Sequence, residues 1–250
     1  MLTPMFGSSH TDPASLDASD LPPAFSLLLS EARMIPTLLK VRAKPEVKPR
    51  AKVGDGSPVV TLPGFCADDE AMRQLRLNLN EAGFAAKRWK LGRNFGAQLD
   101  TLDRIDERVR YVANKTGRKV HLVGWSLGGI MAREYAKAHP GLVASVITMG
   151  SPFSGSMKAN HAWRLYEMIA GHKVDAPPIP IDFGTKPPVP TYALWSPHDG
   201  IVSAITSRGT PEQSDVQREL QCSHIGFAFE DEAIDAVIDC LADVTRETPQ

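Results

Sequence analysis

The sequence predicts an α/β fold: a mostly parallel sheet of about six strands, with helices on both faces and a short cap insertion. Three observations point there. Short, continuously apolar runs alternate with stretches whose apolar residues recur at helical spacing, the pattern of strands buried on both faces and joined by crossover helices. A glycine-flanked pentapeptide, Gly124-Trp125-Ser126-Leu127-Gly128, lies between one such run and one such stretch. No repeat or mid-chain linker divides the 250 residues, a length that buries one sizeable core.

The elements follow in order. Residues 1–20, rich in Ser, Asp, Thr and Pro, are expected to form a disordered tail. Residues 21–50 read as an N-terminal helical and basic segment, with Leu28, Ile35 and Leu39 near one helical face and Pro36 breaking the helix. Its cations, Lys40, Arg42, Lys44, Lys48, Arg50 and Lys52, are relieved only by Glu46. A solvated linker is the favoured reading; peripheral contact of residues 21–52 with an anionic membrane is the alternative. The main domain is placed at 51–250. Val59 to Leu62 is a buried strand, Asp68 to Ala82 a helix ended by Gly83, and Phe84 to Trp89 a second strand. Leu99, Leu102, Ile105, Val109 and Val112 mark a helix before Gly117, and Val120 to Val123 leads into the pentapeptide. A helix then runs from Ile130 to His139, and Val143 to Met149 is the next strand. Regularity breaks at about 152–189, where one helix near Asn160 to Ala170 precedes a proline-rich stretch; this is read as a cap insertion over the carboxyl edge of the sheet. Tyr192 to Trp195, Val216 to Gln221 and a closing helix at Glu230 to Val244 complete the chain.

Composition narrows the partners. A net charge of −1 argues against nucleic acid, whose binding needs clustered Lys and Arg. Three widely spaced cysteines, Cys66, Cys222 and Cys240, fit a reducing compartment, and the N-terminus lacks a basic-then-apolar leader, so a cytoplasmic setting is expected. No apolar run approaches the roughly 18 residues of a spanning helix. No metal-ligand spacing is present, and neither cofactor nor metal is expected. Oligomeric state has no signature.

The pentapeptide reads as a nucleophile elbow, in which glycines relieve the crowding of a turn sharp enough to lift the Ser126 hydroxyl clear of the sheet. A serine hydroxyl needs a base within reach, and that base needs a third group to fix its tautomer. In a parallel sheet such groups converge from loops at the carboxyl ends of the strands. This criterion filters the seven histidines. His10 is in the tail, His121 inside a strand and His139 at the far end of a helix, while His161 and His172 lie in the insertion. His224, after the last strand, is the expected base. Asp199, after the preceding strand, is the expected acid, with Asp182 as the alternative; His198 reads as a rim residue, because its backbone is bonded directly to Asp199. The oxyanion of acyl transfer needs backbone donors. The Leu127 N–H is one, and the Phe65 N–H is chosen as the second, with Cys66 N–H in reserve. The Cys66 side chain itself reads as a small buried hydrophobe.

The elbow GWSLGG, the loop PGF, the acid segment DGIV and the segment SHIG resemble the α/β-hydrolase superfamily over residues 58 to 244. PGFCADD, W-x-LGRNFG and GSPF narrow the resemblance to a bacterial lipase- and esterase-like branch. That resemblance implies hydrolysis of a small-molecule or lipid carboxylic ester through an acyl-enzyme on Ser126, without cofactor. A thioesterase or acyltransferase using the same residues is the runner-up, and a non-catalytic binding module the remote alternative. Pro63 stands where many members carry His before the oxyanion glycine. Arg93 and Asn94 have either a bracing role or that of an ordinary surface turn. Phe153, Trp163 and Tyr166 of the insertion are expected to face substrate.

Overall fold

The computed structural model describes residues 21–179 and 181–247. The expected tail 1–20, with His10, lies outside the described residues. Six strands, β1 (Pro58–Leu62), β2 (Ala85–Arg88), β3 (Val120–Trp125), β4 (Val143–Met149), β5 (Thr191–Trp195) and β6 (Val216–Glu219), form one sheet of order β2-β1-β3-β4-β5-β6. Every neighbouring pair is parallel. Successive strand residues point to opposite faces, so a sheet covered on both sides needs apolar side chains at every position. Val59, Val123, Ile147 and Leu194 accordingly pack in one core, together with residues of α2 (Arg73–Glu81) and α7 (Asp231–Glu247). Val60, Leu62, Leu122 and Val146 pack in the other, with residues of α3 (Thr101–Thr116) and α4 (Leu127–Ala138). The end strands β2 and β6 are short and carry exposed polar residues, Lys87, Arg88 and Glu219 among them, which blunts both edges of the sheet.

His121 sits inside β3, its Nδ1 2.8 Å from Ser145 Oγ on β4. Burial lowers its pKa to about 4, from an ordinary value of 6.5. A depressed pKa contributes stability at high pH that is lost as the pH falls through the folded value. Acidification from pH 6.5 to about 4 is therefore expected to remove about 3 kcal/mol that a His121→Asn variant does not lose, as read by urea unfolding at both ends of the range.

Two expectations for the N-terminal segment are corrected. Pro36 does not break the helix: α1 (Phe25–Ala43) runs through it for 19 residues. The proline removes one donor, but the turns on either side are held from outside, by Met34, Leu38 and Val41 packed on the α2/α7 core. The inward face is likewise offset from the predicted one, leaving Ile35 and Leu39 exposed. Four of the six cations pair with carboxylates of the body: Arg42 with Asp68 at 2.9 Å, Lys48 with Asp231, Arg50 with Asp231 at 2.8 Å and with Asp235, and Lys52 with Glu81 at 3.0 Å. The segment lies against α2 and α7 as a strap. No helix among the described residues is long and apolar enough to cross a membrane.

Between β4 and β5 the chain forms α5 (Trp163–Ala170), shorter than predicted, and a series of turns. This segment is tied to the stretch after β5 by the His161 N–H donating to Ile201 O at 2.9 Å and the Ser203 N–H to Ala159 O at 3.1 Å. Two elements escape periodicity because they are too short to show it: α6 (Ala204–Arg208) and a 3₁₀ turn at Gly226–Ala228.

Candidate active site

Ser126 occupies the turn between β3 and α4 with φ 53° and ψ −123°, backbone space that non-glycine residues rarely enter. Its flanking glycines permit close approach. A Cβ on Gly124 would lie 2.4 Å from the Gly129 backbone, and one on Gly128 2.2 Å from Leu62 O. Any side chain at either position would prise the elbow off the sheet.

Asp199 and His224 meet at the carboxyl end of the sheet. His224 Nδ1 lies 2.7 Å from Asp199 Oδ2, both residues being buried. The other carboxylate oxygen, Oδ1, accepts from the N–H groups of Ile201 at 2.9 Å and Val202 at 2.7 Å. Those bonds fix the carboxylate, and the carboxylate fixes the imidazole with Nδ1 as donor, leaving Nε2 free to accept a proton. Burial disfavours the imidazolium, but the charge of Asp199, its hydrogen bond and the charge of Glu31 outweigh burial and hold the His224 pKa above its ordinary value. Trp125, the residue before Ser126, donates its indole N–H to His224 O at 3.0 Å, tying the elbow to the base loop. Ser126 and His224 line one groove of about 290 Å³ with Gly64, Phe65, Leu165 and Ile225.

Asp182 stands elsewhere: its Oδ1 accepts from the Gly184 and Thr185 N–H groups in a surface turn. The remaining histidines are occupied away from the pair. His198 lies 2.9 Å from Gln221 Oε1, His161 2.8 Å from Pro23 O, His172 2.9 Å from Ala97 O, and His139 against the Tyr135 ring.

The loop after β1 is braced by Asn94, which the sequence left undecided between a brace and a surface turn. Asn94 is buried and donates from Nδ2 to Pro63 O at 2.8 Å; its backbone carbonyl accepts from the Cys66 N–H at 2.7 Å and its N–H donates to Ala67 O at 2.8 Å. The Cys66 amide is thereby consumed, which removes the reserve oxyanion donor. The Phe65 N–H and the Leu127 N–H, the latter without a helical acceptor four residues back because Leu127 is the first residue of α4, stay available as donors beside Ser126. Asn94→Ala is expected to lower kcat about 10- to 100-fold with little change in KM, because the loop loses its register while the pocket stays intact; steady-state kinetics on one ester checks it.

Trp163 and Tyr166 line an apolar cavity of about 60 Å³ that also contains Ser126, Leu127, Phe65 and Ile130. Phe153 does not reach it. That expectation is corrected, because Phe153 is buried beneath the Arg133 guanidinium, 4.1 Å from its ring centroid, and supplies the flat face that this buried cation needs. Its neighbour Pro152 lines the cavity instead. Burial pushes the Cys66 thiol up, with Arg93 opposing, which keeps it from acting as a thiolate near Ser126. Among the described residues no cluster of His, Cys, Asp and Glu has the makings of a metal site.

One buried carboxylate beside the site had no signal in the sequence. Glu31, on α1, accepts from the N–H groups of Gly200 at 2.9 Å, His224 at 2.7 Å and Ile225 at 3.0 Å. A glutamate in an amphipathic helix reads as a solvated residue until the partner loops are known.

A serine on a sharp strand-to-helix turn of a parallel sheet, with Asp199 and His224 on the loops after β5 and β6, is the arrangement of the α/β-hydrolase fold. The chain has the α/β-hydrolase fold: residues 59–176 match the family profile described as alpha/beta hydrolase fold. The superfamily resemblance is borne out, and lipases and esterases recur among the structural neighbours. A pimeloyl-[acyl-carrier protein] methyl ester esterase of Aliivibrio fischeri is 29% identical over 111 residues, which cover 44% of this chain and 42% of that relative's length. A Bacillus licheniformis lipase superposes with a TM-score of 0.56 at 17% identity, covering 79% of this chain and 94% of its own. A Paleococcus ferrophilus monoacylglycerol lipase gives 0.53 at 17% identity, covering 76% and 96%. At these identities the superpositions show the fold.

Proposed function

We propose that this chain is a serine hydrolase of carboxylic esters. The observation that carries the reading is the fixed Asp199–His224 pair, sharing one groove with a serine held at positive φ on an elbow. Ser126 Oγ attacks the acyl carbon while His224 Nε2 takes the hydroxyl proton, and Asp199 stabilises the imidazolium that forms. The N–H groups of Leu127 and Phe65 hold the oxyanion. His224 returns the proton to the leaving alcohol, and water, deprotonated by the same imidazole, then releases the acid and regenerates Ser126. The matching relative is a methyl ester esterase and the structural neighbours include lipases, which supports an ester substrate. Trp163, Tyr166 and Ile130 wall the cavity with apolar surface, which suits an acyl chain or an apolar alcohol. The test is a chain-length series of p-nitrophenyl esters together with labelling by a fluorophosphonate. Turnover with one label on Ser126 is expected; the absence of both turnover and labelling would sink the reading.

A further inference from the structure

Helix α1 contradicts the usual logic of a docked helix. Of its 19 residues only Glu31 is buried, at 2% exposure, while its apolar residues stay half-buried or exposed. Burying a carboxylate is unfavourable unless its lone pairs are met, so the position calls for donors. Both oxygens are met by backbone N–H groups, three in all, from two loops. Oε1 accepts from Gly200 and His224, and Oε2 from Ile225. Gly200 directly follows Asp199, and His224 is the base itself. One carboxylate thus bridges the acid loop to the base loop, beside the 2.7 Å bond between the two side chains. Gly200 makes the approach possible, since a Cβ there would lie 2.3 Å from Leu27 O and 2.8 Å from Glu31 Cγ. The bridge comes from outside residues 59–176, where the family profile matches. Two further contacts seat α1: Arg42 donates to both oxygens of Asp68, at 2.9 and 3.1 Å, and Leu38 packs on the core.

We propose that Glu31 is a positioning residue of the Ser126 site, clamping the Asp199 and His224 loops together so that the seating of α1 sets the geometry of the acid–base pair. The inference rests on the hydrolase reading for its kinetic consequence and on the hydrogen bonds alone for its effect on His224. Asp199 from the β5 loop and Glu31 from α1 act on the imidazole and favour its charged form. Glu230, itself raised by burial and then by the charges of Glu232 and Glu31, stands near Glu31, and Arg42 shares the groove. Removing the Glu31 charge while keeping its shape should therefore lower the proton affinity of His224. A carboxylate that merely filled space would leave it unmoved.

The experiment compares the full-length chain with Glu31→Gln and Glu31→Asp. It follows kcat and KM on p-nitrophenyl butyrate across pH, thermal melting, and the His224 Cε1–H titration by NMR. Glu31→Gln is expected to lower kcat about 10- to 100-fold with KM within about twofold, and to move the acid limb of kcat/KM and the NMR midpoint together to lower pH. Glu31→Asp, which keeps the charge, should return the limb while kcat stays reduced. A Gln variant with the wild-type limb and midpoint, or a rate loss that follows only the folded fraction, would overturn the proposal. Should Glu31→Gln not fold, Glu31→Asp decides: reduced kcat at an unmoved limb supports it, wild-type kcat overturns it. If the wild-type chain hydrolyses no ester, the hydrolase reading fails by itself, and the NMR midpoint still tests the clamp.

Discussion

Ser126→Ala is expected to abolish ester hydrolysis, lowering kcat by about 10⁴-fold or more, and to abolish fluorophosphonate labelling. The expectation is this large because nothing nearby can take over the covalent step. Cys66 shares the groove, but its thiol is pushed up and not down, so it is a poor substitute for the activated alcohol. What remains is water attack assisted by His224 and the amides of Leu127 and Phe65, which accounts for a small residual rate and no label. Stability gives a second reading of the same position. Alanine keeps the Cβ at φ 53°, so the strain of the elbow stays and the melting temperature should hardly move. Ser126→Gly relieves that strain and should be as inert, yet more stable by about 1 kcal/mol. An inert variant that is also more stable marks a strained functional position and not one that serves folding. Wild-type turnover by Ser126→Ala would place the nucleophile elsewhere.

The fold was legible because a parallel sheet covered on both faces writes itself into the chain as apolar runs. β1, β3, β4 and β5 read directly, whereas β2, β6 and α5 came out shorter than expected and α2 starts at Arg73 and not at Asp68, because buried apolar residues such as Phe84, Trp89 and Leu220 continue past the ladder ends and apolar pattern alone does not mark where an element stops. The meeting of Asp199 with His224 was readable from topology: groups can converge only from loops at the carboxyl edge, and the order Ser, Asp, His selected one candidate per loop. What stayed hidden depends on contacts far apart in sequence. Phe153 looked like a pocket residue because it is aromatic and lies in the insertion, but a buried cation from α4 claims its ring. Asn94 and Glu31 act through backbone groups 31 and 193 residues away, and backbone groups leave no trace in the letters that bind them. α1 was misread for the related reason that a proline's local cost is overridden by packing from outside the helix.

Asp199→Asn is the second large effect, expected at about 10³- to 10⁴-fold in kcat with substrate binding little altered. The amide can keep its oxygen on the N–H groups of Ile201 and Val202, which now meet Oδ1, so the loop has reason to hold its shape. Its NH₂ then faces His224 Nδ1 as a donor, which forces that nitrogen to accept and puts the ring proton on Nε2, the atom that receives the Ser126 proton in the mechanism proposed above. The wrong tautomer, and not a lost contact, is what stops the reaction. Charge gives an independent sign. Asp199 supplies most of what raises the His224 pKa against burial, so without it the imidazole should titrate at lower pH, and the acid limb of the residual kcat/KM should move down with it. Stability follows the same linkage. A pKa raised on folding contributes stability that is fully present below the ordinary histidine value of 6.5 and fades as pH rises through the folded value. The stability gap between wild type and Asp199→Asn should therefore be wider in acid than in base, as denaturant melts at about pH 5.5 and about pH 8.5 would read. A gap that instead widened with pH would mean that His224 is held neutral in the folded chain, and that Asp199 orients an imidazole it does not charge.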